Sequence, residues 1–570
     1  MSSSGLWRVC VISIFAALLG WTPVGQANDI YIAQGTVGSG TGASCANALA
    51  ASFFNTSGNW TSATPSGSQI GPGSTVHICG TWNVTQGTTA LTFQGSGASG
   101  NVITLLFETG AVLQSPAFGG SSHGANSGAI ELNGKSHILI NGGVACGKLN
   151  GGAGPTTACN GLIQNTQNGS PGLSCPAGAC SDLNDNSRAI HNANSSINDI
   201  EIENLAIKNI YNRRNTSTAD GAGTYEIYFD HTAPTNVRIH NCDIENGSEN
   251  ITIDFEGMSG DNLQIYDNNL TDSHWTIAIV GATSNTSYTN IQVYGNEISN
   301  WSNWSIPSST YHTNGTQIFN GAGCSNCSIG GGSNPGSAIY ANYMHGDLTG
   351  GQSSSSPTAI LSLQDNTQGW TLYNNLIVDT CNGVGYGCGA NMWFLGPNSQ
   401  NITVYNNTIV NTAAGPVGIW AGSYSGTSNI VAKNNIFSNV AYPFYVNDSN
   451  WTELTTDYND GYNTSSWICV NAGPGPPSCL TLTQYQSQHS GDSHGSTGNP
   501  NLDGNYKLQT GSAAIGLAAN LTTLGITPLD SDLAGVARPS SGAWDAGAYR
   551  SGTGSATGPN PPQGLVAVVH

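Results

Sequence analysis

The sequence predicts an all-β fold: a right-handed, single-stranded parallel β-helix, a solenoid with an N-terminal cap and a small C-terminal closing segment. A short phrase with a central Asn recurs along the chain at coil-sized intervals, which is typical of stacked repeats. Apolar residues alternate around each copy, and no long 3.6-residue period is present, so the repeats are built of strands. With 76 Gly, 38% apolar and 8% charged residues among 570, the composition favours a folded β protein that grows in one dimension.

The recurring phrase reads apolar, any, any, Asn, any, apolar. Its Asn residues are Asn268, Asn296, Asn342, Asn375, Asn407 and Asn435, at intervals of 28, 46, 33, 32 and 28 residues. Stacked coils would place these side chains about 4.8 Å apart. We therefore expect an asparagine ladder that ends after Tyr442.

A second strand follows each copy and ends near a Gly or a turn. Counted two back from that end, the residues are large and apolar and are predicted to face the core. They are Phe255, Ile279, Phe319, Leu363, Phe394 and Trp420. Alternation leaves their neighbours on the outer surface, where chemistry could be placed.

The N-terminus has the pattern of a secretion signal. Arg8 precedes the apolar run 9–19, and small residues around Ala27 suit cleavage before Asn28. The run is too short to span a membrane. The mature protein is expected to be secreted and extracellular.

The whole chain divides into five regions. Residues 146–190 within it are punctuated by Cys and read as loops, and the coils become regular from Ile197. The regions are the signal peptide (1–27), the cap and first coils (28–145), the main β-helix (146–450), the closing segment (451–550) and a Pro/Gly-rich tail (551–570).

Cysteine usage fits an oxidising compartment. Proximity suggests the pairs Cys45–Cys79, Cys146–Cys159, Cys175–Cys180, Cys324–Cys327, Cys381–Cys388 and Cys469–Cys479. Cys242 is left over inside a strand and is predicted to be a buried free thiol.

The charge balance excludes some partners. With 12 Lys plus Arg against 32 Asp plus Glu, the net charge is −20, which disfavours nucleic acid. An acidic polysaccharide would also be repelled unless bound Ca²⁺ bridged it to carboxylates. Neutral glycans meet no such barrier, and we expect a monomer.

The C-terminal region carries the phrase Asp532-x-x-Gly535-x-x-Arg538, followed by Asp545-x-Gly-Ala-Tyr549. It resembles the closing segment of bacterial secreted parallel β-helix proteins of the pectate-lyase-like superfamily. The resemblance implies the architecture, and it implies that Arg538 and Asp545 are structural. From the residues themselves we expect a charge pair that closes the last coil.

The first candidate cluster is acidic. Asp254 and Glu256 are two residues apart on one strand, so they share a face about 6.6 Å apart at Cα. Asp230 and His231 are expected one coil earlier. The group suits an acid and a base for glycoside hydrolysis, a Ca²⁺ site of Asp254 and Glu256, or a solvated polar face.

Two further clusters contain histidines. Aligning coils by their terminal Gly places His274 level with Asn314 and Asp272 level with His312. The third cluster is His345 and Asp347. The phrase YHTNGTQIF followed by NYMHGDLTG resembles a pairing in some bacterial β-helix proteins, whose first phrase more often carries Asp at the position of Asn314. Each cluster could supply an acid or base, or be hydrogen-bonded turn residues.

Aromatic residues are dense in the same coils. Trp275, Tyr311 and Trp393 are candidate substrate-binding residues, and the alternation predicts that Trp393 faces outward. The same alternation predicts that Trp420 faces the core.

The sequence does not choose between reaction classes. β-Elimination from a uronate needs a cation to neutralise its carboxylate, and pectate-lyase-like enzymes usually use Ca²⁺ with an Arg or Lys. No Lys or Arg occurs between Arg238 and Lys433. We therefore expect a secreted carbohydrate-active β-helix that cleaves a polysaccharide as a lyase or glycoside hydrolase, the alternative being a non-catalytic glycan-binding or cell-surface solenoid.

Overall fold

The strands stack coil upon coil in a computed structural model. It describes residues 28–119, 128–144, 146, 159–166, 187–211, 224–232, 234–281, 285–301, 313–321, 324–332, 336–349, 359–381, 389–422, 428–447, 454–471 and 476–552. The predicted signal peptide, Cys175, Cys180, Tyr311, His312 and Cys388 lie outside these residues.

Short strands dominate the described residues, as the alternating pattern predicts. In chain order they are β1 (Asp29–Ala33), β2 (Leu49–Ala50), β3 (Thr75–Ile78), β4 (Thr81–Asn83), β5 (Leu91–Thr92), β6 (Ile103–Phe107), β7 (Val112–Ser115), β8 (Gly128–Glu131), β9 (Ile138–Asn141), β10 (Gly161–Asn165), β11 (Arg188–Ala193), β12 (Ile197–Glu203), β13 (Leu205–Lys208), β14 (Tyr225–Asp230), β15 (Pro234–His240), β16 (Asp243–Asp254), β17 (Gly260–Tyr266), β18 (Asn269–Gly281), β19 (Ser287–Tyr294), β20 (Glu297–Ser299), β21 (Asn314–Asn320), β22 (Ser328–Ile329), β23 (Ser337–Tyr340), β24 (Tyr343–Gly346), β25 (Ala359–Gln364), β26 (Gln368–Tyr373), β27 (Leu376–Asp379), β28 (Ala390–Leu395), β29 (Gln400–Tyr405), β30 (Thr408–Gly415), β31 (Val417–Ala421), β32 (Ser428–Lys433), β33 (Ile436–Val440), β34 (Phe444–Val446), β35 (Leu454–Asp457), β36 (Asp460–Tyr462), β37 (Ile468–Val470) and β38 (Ser478–Leu480). The α-helices are α1 (Ala51–Phe54) and α2 (Leu482–His489).

Each coil contributes strands to three faces, here called sheets 1, 2 and 3. Sheet 1 runs β2-β1-β3-β6-β9-β12-β15-β17-β19-β23-β26-β29-β32-β35. Sheet 2 stacks β4, β7, β10, β13, β16, β18, β20, β24, β27, β30, β33 and β36, and sheet 3 stacks β5, β8, β11, β14, β16, β18, β21, β25, β28, β31, β34 and β37. β16 and β18 are long enough to pass from sheet 2 into sheet 3. These ladders are parallel, so the predicted parallel β-helix is confirmed.

The asparagine ladder forms at the bend between sheets 1 and 2. The Asn375 backbone N–H and Nδ2 both donate to Asn407 Oδ1, at 3.0 and 2.9 Å, and Asn375 Nδ2 also donates to the Ile339 carbonyl at 2.9 Å. The residue before each rung supplies the bend by taking a positive φ, as Asn374 and Asn406 do. Such a φ suits Asn better than most residues. The repeated amide therefore holds successive coils in register.

The ladder runs further than predicted. Asn435 donates to Asn459 Oδ1, and the Asn459 backbone and side-chain amides donate to the carboxylate of Asp492 at 3.1 and 2.9 Å. The expected stop after Tyr442 is wrong because Asn459 and Asp492 carry the same chemistry within less regular phrases. The loop reading of 146–190 is also wrong in part, because β10 and the start of β11 lie inside that stretch.

Four of the six predicted disulfides lie within the described residues and are confirmed, as is the free thiol. Among the described residues the bonds are Cys45–Cys79, Cys146–Cys159, Cys324–Cys327 and Cys469–Cys479. Cys242 is free and buried. It stands one coil before Asn268, and its backbone N–H donates to Asn268 Oδ1 at 3.0 Å. Cys242 thus occupies the first position of the ladder column.

The C-terminal segment, residues 500–552, packs against the outside of coils that lie much earlier in the sequence. Leu508, Leu529 and Trp544 are buried against a column of rings that includes Tyr294, Tyr340 and Tyr373. Arg538 is buried and donates to Asn374 Oδ1 at 2.9 Å and to the Gly547 carbonyl at 3.0 Å. In the described chain no ion pair joins Arg538 to Asp545, so the expected charge pair is wrong.

Candidate functional site

The outer face of sheet 3 collects the acidic residues that the sequence singled out. β14 and β16 are adjacent and parallel, with Phe229 paired to Ile253. Both of those residues are fully buried, so the next residues along, Asp230 and Asp254, point outward on neighbouring coils. The predicted placement of Asp230 one coil before Asp254 is confirmed.

His231 lies among three carboxylates. Its Nδ1 is 2.6 Å from Asp230 Oδ1 and 3.9 Å from Asp254 Oδ2, and its Nε2 is 3.5 Å from Glu256 Oε2. The side chains of Asp230 and Asp254 are 16% and 17% exposed, against 41% for Glu256. The two aspartates therefore sit in a drier environment than the glutamate.

The surroundings shift the pKa values of the two aspartates in opposite directions. Burial alone would raise the pKa of Asp230, but the neighbouring His191, His231 and Tyr228 outweigh it and hold that pKa below its ordinary value. Burial raises the pKa of Asp254, opposed only in part by the Glu256 N–H and by His231. The pKa values of these two neighbouring carboxyl groups therefore move in opposite directions.

The same carboxylates shift the pKa of His231. The hydrogen bond to Asp230 raises the pKa of His231, with Asp254 and Glu256 adding to the effect. The imidazolium is therefore stabilised between the carboxylates. Asp230, His231 and Asp254 each place one ligand atom within 4.8 Å of the others.

Two earlier coils add residues that the sequence analysis missed. Directly below Tyr228 in the stack is His191, and below that is Glu131. The fully buried His191 places Nδ1 2.9 Å from Glu131 Oε2, while its Nε2 is 3.0 Å from Arg188 Nη1. Tyr228 donates to Asp230 Oδ1 at 3.0 Å. A line of polar side chains therefore leads from Glu131 to Asp230.

Arg188 supplies a cation close to this face that the sequence analysis did not place there. Its guanidinium carbon lies 4.9 Å from the centre of the Tyr228 ring, a distance that fits a cation–π contact. Arg188 follows a Cys- and Gly-rich stretch that reads as a loop, so the strand carrying it was not recognised. The phrase SRAIHNA, with its apolar Ile190 between polar neighbours, was the available signal.

Beside this cluster is a half-buried glutamate, Glu249. It accepts a hydrogen bond from Thr252 Oγ1 at 2.6 Å. Burial raises the pKa of Glu249 to about 8, and the nearby Asp254 adds to the effect. A protonated group therefore adjoins Asp254 near neutral pH.

His274 and Trp275 differ from the predicted register. Gly281 pairs with Asn320, and Trp275, instead of His274, pairs with Asn314. The terminal Gly residues are not equivalent, because the β21 coil ends one residue later than the β18 coil. His274 is buried, and its expected alignment with Asn314 is wrong.

His345 and Asp347 lie elsewhere on the solenoid. His345 belongs to β24 in sheet 2, where its Nε2 is 2.9 Å from Glu297 Oε1. Asp347 follows that strand and accepts hydrogen bonds from Thr349. The structure does not bring them into the group around His231.

The same register error affects two aromatic residues. Phe255, Ile279, Leu363 and Phe394 are fully buried, as predicted. Phe319 pairs with Val280, and Trp420 pairs with Trp393, in rows that face outward between buried neighbours. Trp393 faces outward as predicted, whereas the inward placement of Phe319 and Trp420 is wrong.

The solved structures that resemble this chain share little sequence identity with it. The A-module of a mannuronan C-5 epimerase from Azotobacter vinelandii is 14% identical over 72% of this chain and 91% of its own, with a TM-score of 0.38. Pectate lyase Pel9A is 11% identical over 92% and 98%, with a TM-score of 0.35. An alginate lyase from Paenibacillus sp. is 9% identical over 70% and 92%, with a TM-score of 0.26.

No protein-family model matches the chain, and no curated protein matches it by sequence. No helix in the described ranges has both the length and the apolar character needed to cross a membrane. The case for a function therefore rests on the chain's own side chains.

Proposed function

We propose that the protein is a secreted, carbohydrate-active β-helix that cleaves a polysaccharide on the outer face of sheet 3. The observation that carries the proposal is the pair Asp230 and Asp254. They are outward neighbours on adjacent coils, and their surroundings move their pKa values in opposite directions. Such a separation assigns an acid and a base within one site.

Glycoside hydrolysis uses this pair directly. Asp254, in its protonated form, would donate a proton to the oxygen of the departing sugar. Asp230, held ionised, would take a proton from the attacking water as a base, or would attack the sugar carbon itself and be released from it by water. His231 keeps the two carboxylates together, and Glu256 extends the acidic face toward solvent.

β-Elimination is a second candidate, and Arg188 favours it. Removing a proton beside a uronate carboxylate requires positive charge close to that carboxylate. Arg188 and the His231 imidazolium place two cationic groups in a chain that carries a net charge of −20. In this β-elimination a neighbouring side chain would act as the base that removes the proton beside the carboxylate.

A divalent cation could take part at the same place. Asp230 and Asp254 supply the carboxylate oxygens that Ca²⁺ prefers, and the His231 imidazolium would have to give way. A bound Ca²⁺ would neutralise acidic groups of a substrate. The proposed ligands are then Asp230 and Asp254, with Glu256 beside them.

The test is a panel of neutral and uronate-containing polysaccharides, with and without a chelator. New reducing ends alone indicate a hydrolase, and the absorbance of unsaturated uronate indicates a lyase. Asp254→Asn and Asp230→Asn should each lower the rate about 100-fold or more, as loss of an acid or base does. The matched control is Asp29→Asn, an exposed carboxylate on sheet 1.

Wild-type rates in both folded aspartate variants would overturn the assignment. Retention on a polysaccharide with no cleavage would instead identify a non-catalytic glycan-binding solenoid. The four disulfides support the extracellular part of the proposal.

A further inference from the structure

Three aromatic side chains stand in one outward column near the C-terminal end of sheet 3. Trp393, Trp420 and Tyr445 occupy consecutive coils and are paired by the parallel ladder. The ring centres of Trp393 and Trp420 are 5.7 Å apart, and those of Trp420 and Tyr445 are 5.1 Å apart. We call these three residues the aromatic column.

The aromatic column is not part of the hydrophobic core. Each member lies between inward residues that are almost fully buried, such as Met392 and Phe394 around Trp393. The three rings themselves are half-buried. Large apolar rings left partly exposed on successive coils are a surface that commonly binds a partner.

The stretch of chain that carries Trp393 and Trp420 contains no charged residue. No Asp, Glu, Lys, Arg or His occurs between Asp379 and Lys433, and the next charged residue after Lys433 is Asp448. Anionic or cationic groups of a ligand would gain few electrostatic contacts from these two coils. Uncharged sugar rings suit it, because a pyranose presents an apolar C–H face to an aromatic ring and hydroxyl groups at its edge.

The column continues the row that holds the proposed catalytic face. Passing from coil to coil, the paired residues are Tyr228, Thr252, Ala278, Gln317, Ser362, Trp393, Trp420 and Tyr445. Tyr228 and Trp393 are five coils apart, about 24 Å at the usual strand spacing. A polymer lying along the solenoid could therefore contact both places.

The geometry points to the aromatic column as a distal binding site for uncharged sugar units of a polysaccharide. This inference rests on the proposed function for its substrate class. The rings hold the polymer while the residues around Asp254 act on another part of it. Trp393 gives the site its first ring, and Trp420 and Tyr445 extend it by two coils.

The experiment measures retention in affinity electrophoresis through gels containing neutral polysaccharides. It uses the full chain carrying Asp254→Asn, so that the polymer is not cleaved during the run. In that background Trp393→Ala and Trp420→Ala should each weaken retention about tenfold. Trp420→Phe should keep most of it, since the ring remains, and it guards against a misfolded Ala variant.

The control is Tyr462→Ala, a half-buried ring on the outer face of sheet 2 at a nearby coil. It should leave retention unchanged, and circular dichroism should show that every variant keeps the wild-type β spectrum. Unchanged retention in the folded Trp393→Ala and Trp420→Ala proteins would overturn the inference. So would an Asp254→Asn chain that no neutral polysaccharide retains.

The two proposals fail separately. If cleavage depends on Asp254 but retention does not depend on either Trp residue, only the inference about the aromatic column is wrong. Retention that depends on the Trp residues, without cleavage by any chain, removes the catalytic proposal and leaves the binding site.

Discussion

Asp230 and Asp254 show how a neighbouring coil can set the chemistry of a side chain. Tyr228 and His231 come from the same strand and turn as Asp230, but His191 comes from the coil below. The pKa of Asp230 therefore depends on residues brought together by stacking. A site of this kind exists only when at least three coils are in register.

Cys242 offers a test of the ladder at a single residue. Its sulfur lies 3.2 Å from the His240 carbonyl and 3.8 Å from the Ile202 carbonyl, in the position where later coils place an amide. Cys242→Asn should add a rung and raise the free energy of unfolding by about 1 kcal/mol, the net value of a hydrogen bond. Chemical denaturation measures it.

Cys242→Ala is the companion variant, and it should lower stability because it removes the sulfur without adding a donor. A Cys242→Asn protein less stable than Cys242→Ala would show that the column cannot accept an amide there.

Asp492 gives the far end of the ladder a dependence on pH. Burial raises the pKa of Asp492 to about 7, and the two hydrogen bonds from Asn459 only partly oppose this. Because the folded value exceeds the unfolded value of about 3.9, the folded state holds the extra proton. The stability that this proton gives to the folded state is fully present below about pH 4 and is lost as pH rises through about 7.

Asp492→Asn should remove this part of the pH dependence. An amide oxygen can accept from Asn459 as the other rungs do, with no proton to lose. We expect the variant to be more stable than wild type at pH 8 by about 1–3 kcal/mol, and equal to it near pH 4. Thermal melts across pH 4–8 would contradict this if the two proteins differed by the same amount throughout.

At the scale of the element, the Asn rungs are the strongest test of why the coils stay in register. Asn375 makes hydrogen bonds to two other coils, all of them buried. Asn375→Ala should lower the free energy of unfolding by about 1–3 kcal/mol, because buried backbone groups lose their partners. Asn505→Ala, an exposed Asn in the C-terminal segment, should have almost no effect.

Equal melting temperatures for wild type and Asn375→Ala would show that neighbouring rungs or water replace the lost bonds. Asn407→Ala repeats the test one coil along.

The ladder was predictable from sequence because one residue type performs one task in every coil. The strand faces were less predictable, since the position of a strand's end decides its register. An error of one residue at the end of β21 misassigned Phe319 to the core, and an error of one residue at the end of β31 misassigned Trp420. In a structure with a side-chain period of two, such an error reverses every face.

The candidate site was predictable only in part for the same reason. Asp230, His231 and Asp254 are close in sequence to clear strands. Arg188 and His191 follow a stretch whose composition reads as loop, and only stacking shows that they belong beside Asp230. His345 was assigned by its chemistry, but its strand belongs to another sheet.

At the scale of the whole molecule, the C-terminal segment joins coils that are far apart in sequence. Asn374, Asn406 and Asn434 each donate a side-chain hydrogen bond to a carbonyl of residues 500–552. The segment also covers the stacked rings of Tyr294, Tyr340 and Tyr373. The outer corner between sheets 1 and 2 is therefore an internal interface.

Arg538 is the residue on which this interface is predicted to depend most. Arg538→Gln would leave Asn374 Oδ1 and the Gly547 carbonyl without a charged donor. We expect about 1.5–3 kcal/mol of destabilisation and faster proteolysis within 500–552. Arg550→Gln is the control, because Arg550 donates only within the segment, to the Ala537 carbonyl.

Protection of the segment in Arg538→Gln equal to that in Arg550→Gln would show that the apolar contacts of Leu529 and Trp544 suffice. The measurement is the rate of cleavage followed by mass.

The returning segment also determines how the protein would respond to mechanical force. A pull on the C-terminus would first load the bonds to Asn374, Asn406 and Asn434, while the last coils around Val470 carried no tension. The segment would have to peel away before any coil could unwind. In a force–extension trace, its release and the later uncoiling of the solenoid would be separate events, in that order.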